Sequence, residues 1–349
     1  MLLRIASSFA KPIGLSVHYS HFRSKNTSYG VISQMSHQVL RSKSKKLAHF
    51  RLCNVSSYAT ELLEVLANEP TFHVLVIPGN PGVVSYYKEF VESLYELLGG
   101  SASVTGKITV GHLSHTKKDW EHGRLFSLQE QIDHKVHFIK QELQNDEVPI
   151  LLVGHSIGAY ICVEMLKRIP EKVLYCVGLY PFLALNLQSR NQSIIGKIAA
   201  SPVVCVALSS IVALLGLLPS QALRLIVSQS LGKSWSSAAV EATCSHLAKY
   251  HTMRNMLYMA MTEFRKLSET PDWAFMREKH HRIAFLFGTD DHWGPLQMFE
   301  EISRQVPDIA LSREREGHTH AFCCTEAGST WVAQHVVTLI NNQISRSTH

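Results

Sequence analysis

The chain lacks several patterns that would settle its chemistry at once. Its seven cysteines, at positions 53, 162, 176, 205, 244, 323 and 324, are odd in number and form no CxxC pair. That argues against a disulfide framework and fits a reducing compartment. The adjacent Cys323 and Cys324 read as packing residues. Twenty histidines are present, yet no HExxH or comparable ligand spacing occurs, so neither a metal nor a cofactor is expected. Acidic residues are missing from residues 1–46, which hold eight Lys/Arg and ten Ser. The remainder carries 26 basic and 28 acidic residues, a net of −2. The overall charge of +6 therefore belongs to a tail. A nucleic-acid-binding body is not expected, because phosphate binding needs a basic face on the folded part. The tail also lacks a sustained apolar core, which argues against a secretory signal. Its composition fits an organellar transit peptide, and equally a disordered extension with Met35 as an internal start.

What is present is enough for one large domain: 349 residues, 46% apolar. From about residue 47 the text alternates. "HFRLCNVSSYATELLEV" reads as two strands around the Asn54–Ser57 turn, and "FHVLVIPGNPG" as a buried strand ending in a Gly/Pro loop. "SYYKEFVESLYELL" has helical spacing, and "KITVGHLSH" reads as a strand. "SLQEQIDHKVHFIKQELQ" places Leu128, Ile132, Val136 and Ile139 on one helical face. "VPILLVGHS", "KVLYCVGLYPFL", "RIAFLFGTDDHW" and "IALSREREGHTHAF" supply further strands, with helices between them and a closing helix at "TWVAQHVVTLINNQI". Such alternation predicts a mostly parallel sheet covered by helices on both faces. Residues 47–349 form this α/β domain, and a helical, strongly apolar section at about 185–280 reads as an insertion after a core strand.

Gly154-His155-Ser156-Ile157-Gly158 is a G-x-S-x-G pentapeptide. Alone it is a weak signal, and a serine N-cap at an ordinary turn would explain it. Its position, closing a buried strand and opening a helix, is that of a nucleophile elbow. A serine hydroxyl needs a base, and the base needs an orienting acid. In elbow-type folds both follow in the order Ser, Asp, His. Two candidates exist for each. In "FGTDDHWGP", counting four from Gly288 favours Asp291 and leaves Asp290 as a turn cap; in "EGHTHAF" both His318 and His320 are available. Oxyanion stabilisation needs N–H donors from the residue after the serine and from an early loop. Pro81 has no N–H, so Asn80 in Pro78-Gly79-Asn80-Pro81-Gly82 is the candidate partner of Ile157.

Together these pieces resemble the α/β-hydrolase superfamily, and more closely the lipid droplet-associated hydrolase family. The resemblance rests on "VIPGNPGVVSYYKEF", "LQEQIDHKVHFI", "LLVGHSIGAY", "MLKRIPE", "LYPFL", "GTDDHWGP" and "HAF". It covers roughly residues 48–345 and is weakest between 186 and 280. It implies an α/β-hydrolase fold with an inserted helical cap and a serine ester hydrolase with Ser156 as nucleophile. The family's base directly precedes Ala-Phe, which implies His320, and its acid implies Asp291. Gly317-His318 keeps His318 as an alternative base. His292 departs from the proline that often follows the acid in this family. The resemblance also implies lipid-droplet and endoplasmic-reticulum localisation and a role in lipid storage. A transit function for residues 1–46 would instead imply a plastid or mitochondrion.

Ile198 to Leu223 is a run of 26 uncharged residues between Lys197 and Arg224, punctuated by Pro202 and Pro219 and interrupted by Ser209-Ser210. By length it could span a bilayer. A single crossing inside one sheet fold would put its strands on opposite sides of the membrane, so a span is excluded. The expectation is a lid seated in a lipid monolayer and lining an acyl-sized pocket, with a packed soluble cap as the alternative. The substrate class expected is a lipophilic ester, of sterol or acylglycerol type. Two other readings are a lipid-surface organising protein with weak turnover and a soluble organellar esterase.

Overall fold

A computed structural model describes residues 47–99, 102–107, 123–145, 147–231 and 234–347, with only the backbone described over 102–107 and at 347. The basic tail, and most of the strand expected at "KITVGHLSH", lie outside the described residues. The strands are β1 (His49–Val55), β2 (Tyr58–Val65), β3 (Phe72–Ile77), β4 (Ala102–Lys107), β5 (Ile150–His155), β6 (Val173–Leu179), β7 (Ile283–Phe287) and β8 (Ala310–Arg313). They form one sheet in the order β1-β2-β4-β3-β5-β6-β7-β8. β1 and β2 pair antiparallel, β2 and β4 also antiparallel, and every neighbour from β4 to β8 is parallel.

Continuous apolar text makes the central strands, because both faces are covered. Side chains alternate between two cores. Val74 and Val76 of β3, with Leu151 and Val153 of β5, face one core; Leu75, Ile77, Ile150 and Leu152 face the other. The first core is closed by α1 (Lys88–Leu97), through Phe90, Val91 and Leu94, and by the C-terminal helix described below. The second is closed by α2 (Leu128–Glu142) and α3 (Ile157–Arg168). Helix α2 starts where a capping box forms: Ser127 Oγ accepts from the Glu130 N–H, and Glu130 Oε2 accepts from the Ser127 N–H. Helix α3 stops before Pro170, which cannot continue it.

Between β6 and β7 the chain leaves the sheet for α4 (Arg190–Ala199), α5 (Pro202–Gly216), α6 (Ser220–Leu231), α7 (Ser237–Ala242), α8 (Tyr250–Leu267) and α9 (Trp273–Glu278). It then returns through α10 (Leu296–Gln305) and α11 (Glu326–Ser347), the latter completing the first core with Val332, Ala333, Val336 and Ile340. Within the apolar run, Pro202 occupies the first turn of α5, where its missing N–H costs nothing, and Ser201 caps it. Ser209 and Ser210 do not interrupt the helix. Their hydroxyls donate to the carbonyls of Cys205 and Val206, four residues back. No single helix among the described residues is long and apolar enough to cross a membrane; α4 and α5 pass only as a pair bent by 95°.

Candidate active site

Ser156 follows β5 and precedes α3 with φ +56° and ψ −124°. L-residues seldom adopt this backbone, and packing holds it here. A Cβ on Gly154 would sit 2.2 Å from the Gly158 carbonyl oxygen, and one on Gly158 would sit 2.3 Å from the Ile77 carbonyl oxygen. Both glycines of the pentapeptide are thus required by backbone contact, which lets the turn tuck against β3. Gly79 faces the serine directly: a Cβ there would lie 2.9 Å from Ser156 Cβ. The Pro78–Gly82 loop is therefore seated on the elbow.

Asp291 and His320 meet at the other end of the site. His320 Nδ1 donates to Asp291 Oδ2 at 2.8 Å, and the Trp293 N–H donates to Asp291 Oδ1 at 2.9 Å. Both side chains are buried. Burial opposes the charge on Asp291, but the His320 ring and these two hydrogen bonds outweigh it and hold the carboxyl below its usual range. The competing residues lie elsewhere. Asp290 is exposed, and the His318 ring packs on Trp331 at 5.8 Å. Ile157 is buried at the first turn of α3.

His155 is buried between the groups just described. Its Nδ1 and the Tyr87 hydroxyl are 2.6 Å apart in a hydrogen bond, and the Gly79 N–H donates to the same hydroxyl at 3.0 Å. Its ring lies 4.8 Å from that of His320. Burial, and then the neighbouring His320, push the His155 pKa well below the ordinary histidine value, so the ring is neutral. Tyr87 thus ties the Gly79 loop to the residue preceding Ser156. The sequence reading missed this tyrosine, and its only signal was its place just after the Gly/Pro loop.

Two cavities border the site. One, of about 470 Å³ including its open mouth, is lined by Ser156, Asn80, Phe182, Ile195, Glu263 and Trp293, among others. The second, of about 900 Å³ including its open mouth, is lined by His155, His320, Tyr86, Trp235, Leu208 and Met253, among others. They adjoin at Asn80, Met256 and Leu257. The helices between β6 and β7 are bonded to both loops. Asn80 Nδ2 donates to the Met256 carbonyl at 3.0 Å, and Gln192 Nε2 donates to the His292 carbonyl at 2.8 Å.

Known proteins resemble this chain in sequence and in architecture. A lipid droplet-associated hydrolase of Gallus gallus is 32% identical over 73% of this chain and 81% of its own length. One of Dictyostelium discoideum is 28% identical over 75% and 86%. Among solved structures, a haloalkane dehalogenase of Bradyrhizobium elkani superposes with a TM-score of 0.62 at 14% identity, over 84% of this chain and 99% of that one. An epoxide hydrolase of Vigna radiata does so with a TM-score of 0.58 at 14% identity, over 86% and 100%. These structures share the α/β-hydrolase fold with this chain. The sequence profile of the lipid-droplet associated hydrolases matches residues 70–323, and the chain belongs to that family.

Proposed function

We propose that this chain, a hydrolase by family, cleaves lipophilic carboxylic esters through Ser156, His320 and Asp291. The observation that carries the reading is the buried Asp291–His320 hydrogen bond in a chain whose strand–helix turn holds Ser156 at positive φ. In the first step Ser156 Oγ attacks the ester carbonyl carbon and its proton passes to His320 Nε2. Asp291 keeps the ring oriented through Nδ1 and stabilises its charged form. The N–H groups of Asn80 and Ile157 receive the oxyanion. The alcohol leaves with the proton from His320. Water, deprotonated by His320, then attacks the acyl-enzyme, releasing the acid and restoring Ser156.

The lipophilic character of the substrate is supported by the apolar lining of both cavities and by the family's name. A lipid-droplet or endoplasmic-reticulum surface as the site of action is supported by the outer side of α5. Val203 is 78% exposed, Leu214 65% and Leu217, which follows the last residue of the helix, 81%, an arrangement suited to seating in a lipid monolayer. Residues such as Cys205 and Leu208, on the inner side, pack against Met253 and Leu257 of α8.

The test is a panel of sterol, glycerol and short-chain acyl esters with wild type and Ser156→Ala, combined with fluorophosphonate labelling. Wild type is expected to label and to turn over the lipophilic members. Ser156→Ala is expected to lose labelling and at least about 10³-fold in kcat. Labelling that persists in the variant would refute the assignment.

A further inference from the structure

The cavity that holds Ser156 is mostly apolar, and beside Ser156 and Asn80 it contains one ionisable side chain. Phe182, Ile195, Met256, Leu257, Ala260, Phe264 and Trp293 make it apolar, and Glu263 of α8 projects among them. Glu263 is 3% exposed. Its Oε1 is enclosed and has no hydrogen-bond partner among the described residues. A carboxyl left this way costs free energy in an otherwise apolar wall unless something supplies the missing bond. Glu263 lines this cavity. Burial raises the Glu263 pKa to about 8, opposed only by a hydrogen bond with the Asn80 side chain, so near neutral pH the group is an uncharged acid. It then offers both an O–H donor and an acceptor and does not repel a carboxylic acid product.

We propose that Glu263 is a specificity-determining residue that hydrogen-bonds a free hydroxyl on the substrate, so that the preferred esters carry one hydroxyl near the scissile bond. A hydroxyl matches a neutral carboxyl group for group, whereas a substrate that is wholly hydrocarbon beyond its ester leaves Oε1 unpaired. The discrimination is one-sided for that reason: the hydroxyl gains a bond and its methyl isostere gains none. Two substrate sources share this chemistry, an alcohol part with a second hydroxyl, as in a partial acylglycerol, and a hydroxylated acyl chain. The inference rests on Ser156 being the nucleophile.

The experiment compares matched esters on the full chain. One arm uses 2-hydroxyethyl oleate against propyl oleate, and the other methyl 3-hydroxydecanoate against methyl decanoate. Wild type is expected to favour the hydroxylated member of one pair by about tenfold in kcat/KM, and the responding pair identifies the source. In Glu263→Leu the ratio is expected to fall to near unity. In Glu263→Gln, which keeps a donor and an acceptor, it is expected to stay within about threefold of wild type. If Glu263→Leu fails to fold, Glu263→Met, which also removes donor and acceptor but keeps an unbranched chain, takes its place with the same expected fall in the ratio. A wild-type ratio near one in both arms, or a ratio unchanged by leucine, would overturn the inference. So would equal loss on both members of a pair, which marks a role confined to Asn80. Fluorophosphonate labelling of each variant keeps the two readings apart: loss of Ser156 dependence refutes the nucleophile, while labelling with no discrimination refutes Glu263 alone.

Discussion

Ser156 pays for its position in backbone strain, and this strain can be measured. Its φ of +56° is a conformation costing about 1–3 kcal/mol for a non-glycine residue, partly offset in a glycine by added unfolded-state entropy. Ser156→Ala keeps the strain and Ser156→Gly releases it. The glycine variant is therefore expected to be more stable than the alanine variant by roughly 1 kcal/mol in urea unfolding, with both inactive. Equal midpoints would mean that the turn relaxes. At this scale the sequence was partly legible. The small residues flanking Ser156 announced a close approach, and the structure identifies what approaches: Gly158 on Gly154 and the Ile77 carbonyl on Gly158. The choice between Asp290 and Asp291, or His318 and His320, depends on how two loops distant in sequence are folded, and spacing alone left the histidine open. Glu263 had a signal that went unread. Met256, Ala260, Glu263 and Leu267 recur at helical intervals, which puts an acid on an apolar stripe.

Among the elements, α5 differs most from what its text suggests. Hydropathy reports how apolar a segment is but not which side is covered, so the prolines at 202 and 219 marked breaks in the run from Ile198 to Leu223 without showing which face each piece buries. The run is the end of α4, all of α5 and the start of α6. The break falls where Ser201 caps a new helix, with Pro202 in its first turn. The inner side of α5 belongs to the packing with α8, while Val203 and Leu214 on the outer side are largely exposed among the described residues. Replacing Val203, Leu214 and Leu217 together by serine should change stability by less than about 0.5 kcal/mol per site, because all three are largely exposed. The same variant is expected to lose most of its flotation with phospholipid-coated triolein droplets while still reacting with a fluorophosphonate. Flotation equal to wild type would remove α5 as the lipid contact.

Across the whole molecule, buried ionisable groups should shape how stability varies with pH. Lys135 on α2 is fully buried, and its Nζ donates to Gln131 Oε1 and O at 3.3 and 3.4 Å. Burial lowers its pKa from 10.5 to about 7. Between these values the folded chain leaves Lys135 neutral while the unfolded chain keeps the proton. The unfolded state thus binds more protons, and stability attributable to Lys135 rises with pH from about 7 to 10.5. Glu263 acts in the opposite sense, with its pKa raised from 4.5 to about 8, so its contribution falls as pH rises through that interval. Lys135→Met should therefore stabilise the fold on the order of 1–3 kcal/mol at pH 6, and progressively less towards pH 10, as read from urea midpoints. A gain independent of pH would mean that Lys135 stays charged in the fold.

The helices between β6 and β7 are fastened to the sheet domain at both functional loops, by Asn80 to Met256 and by Gln192 to His292. Further bonds run from the Phe126 N–H to Asn255 Oδ1, from the Leu128 N–H to Thr262 Oγ1, and between the Tyr86 and Thr243 hydroxyls. Such a cap is less a hinged door than a keystone. Any force that lifts it also tugs on the Pro78–Gly82 turn and on the loop of Asp291. On the function proposed above, tension at a lipid surface and turnover at Ser156 would be mechanically geared to one another.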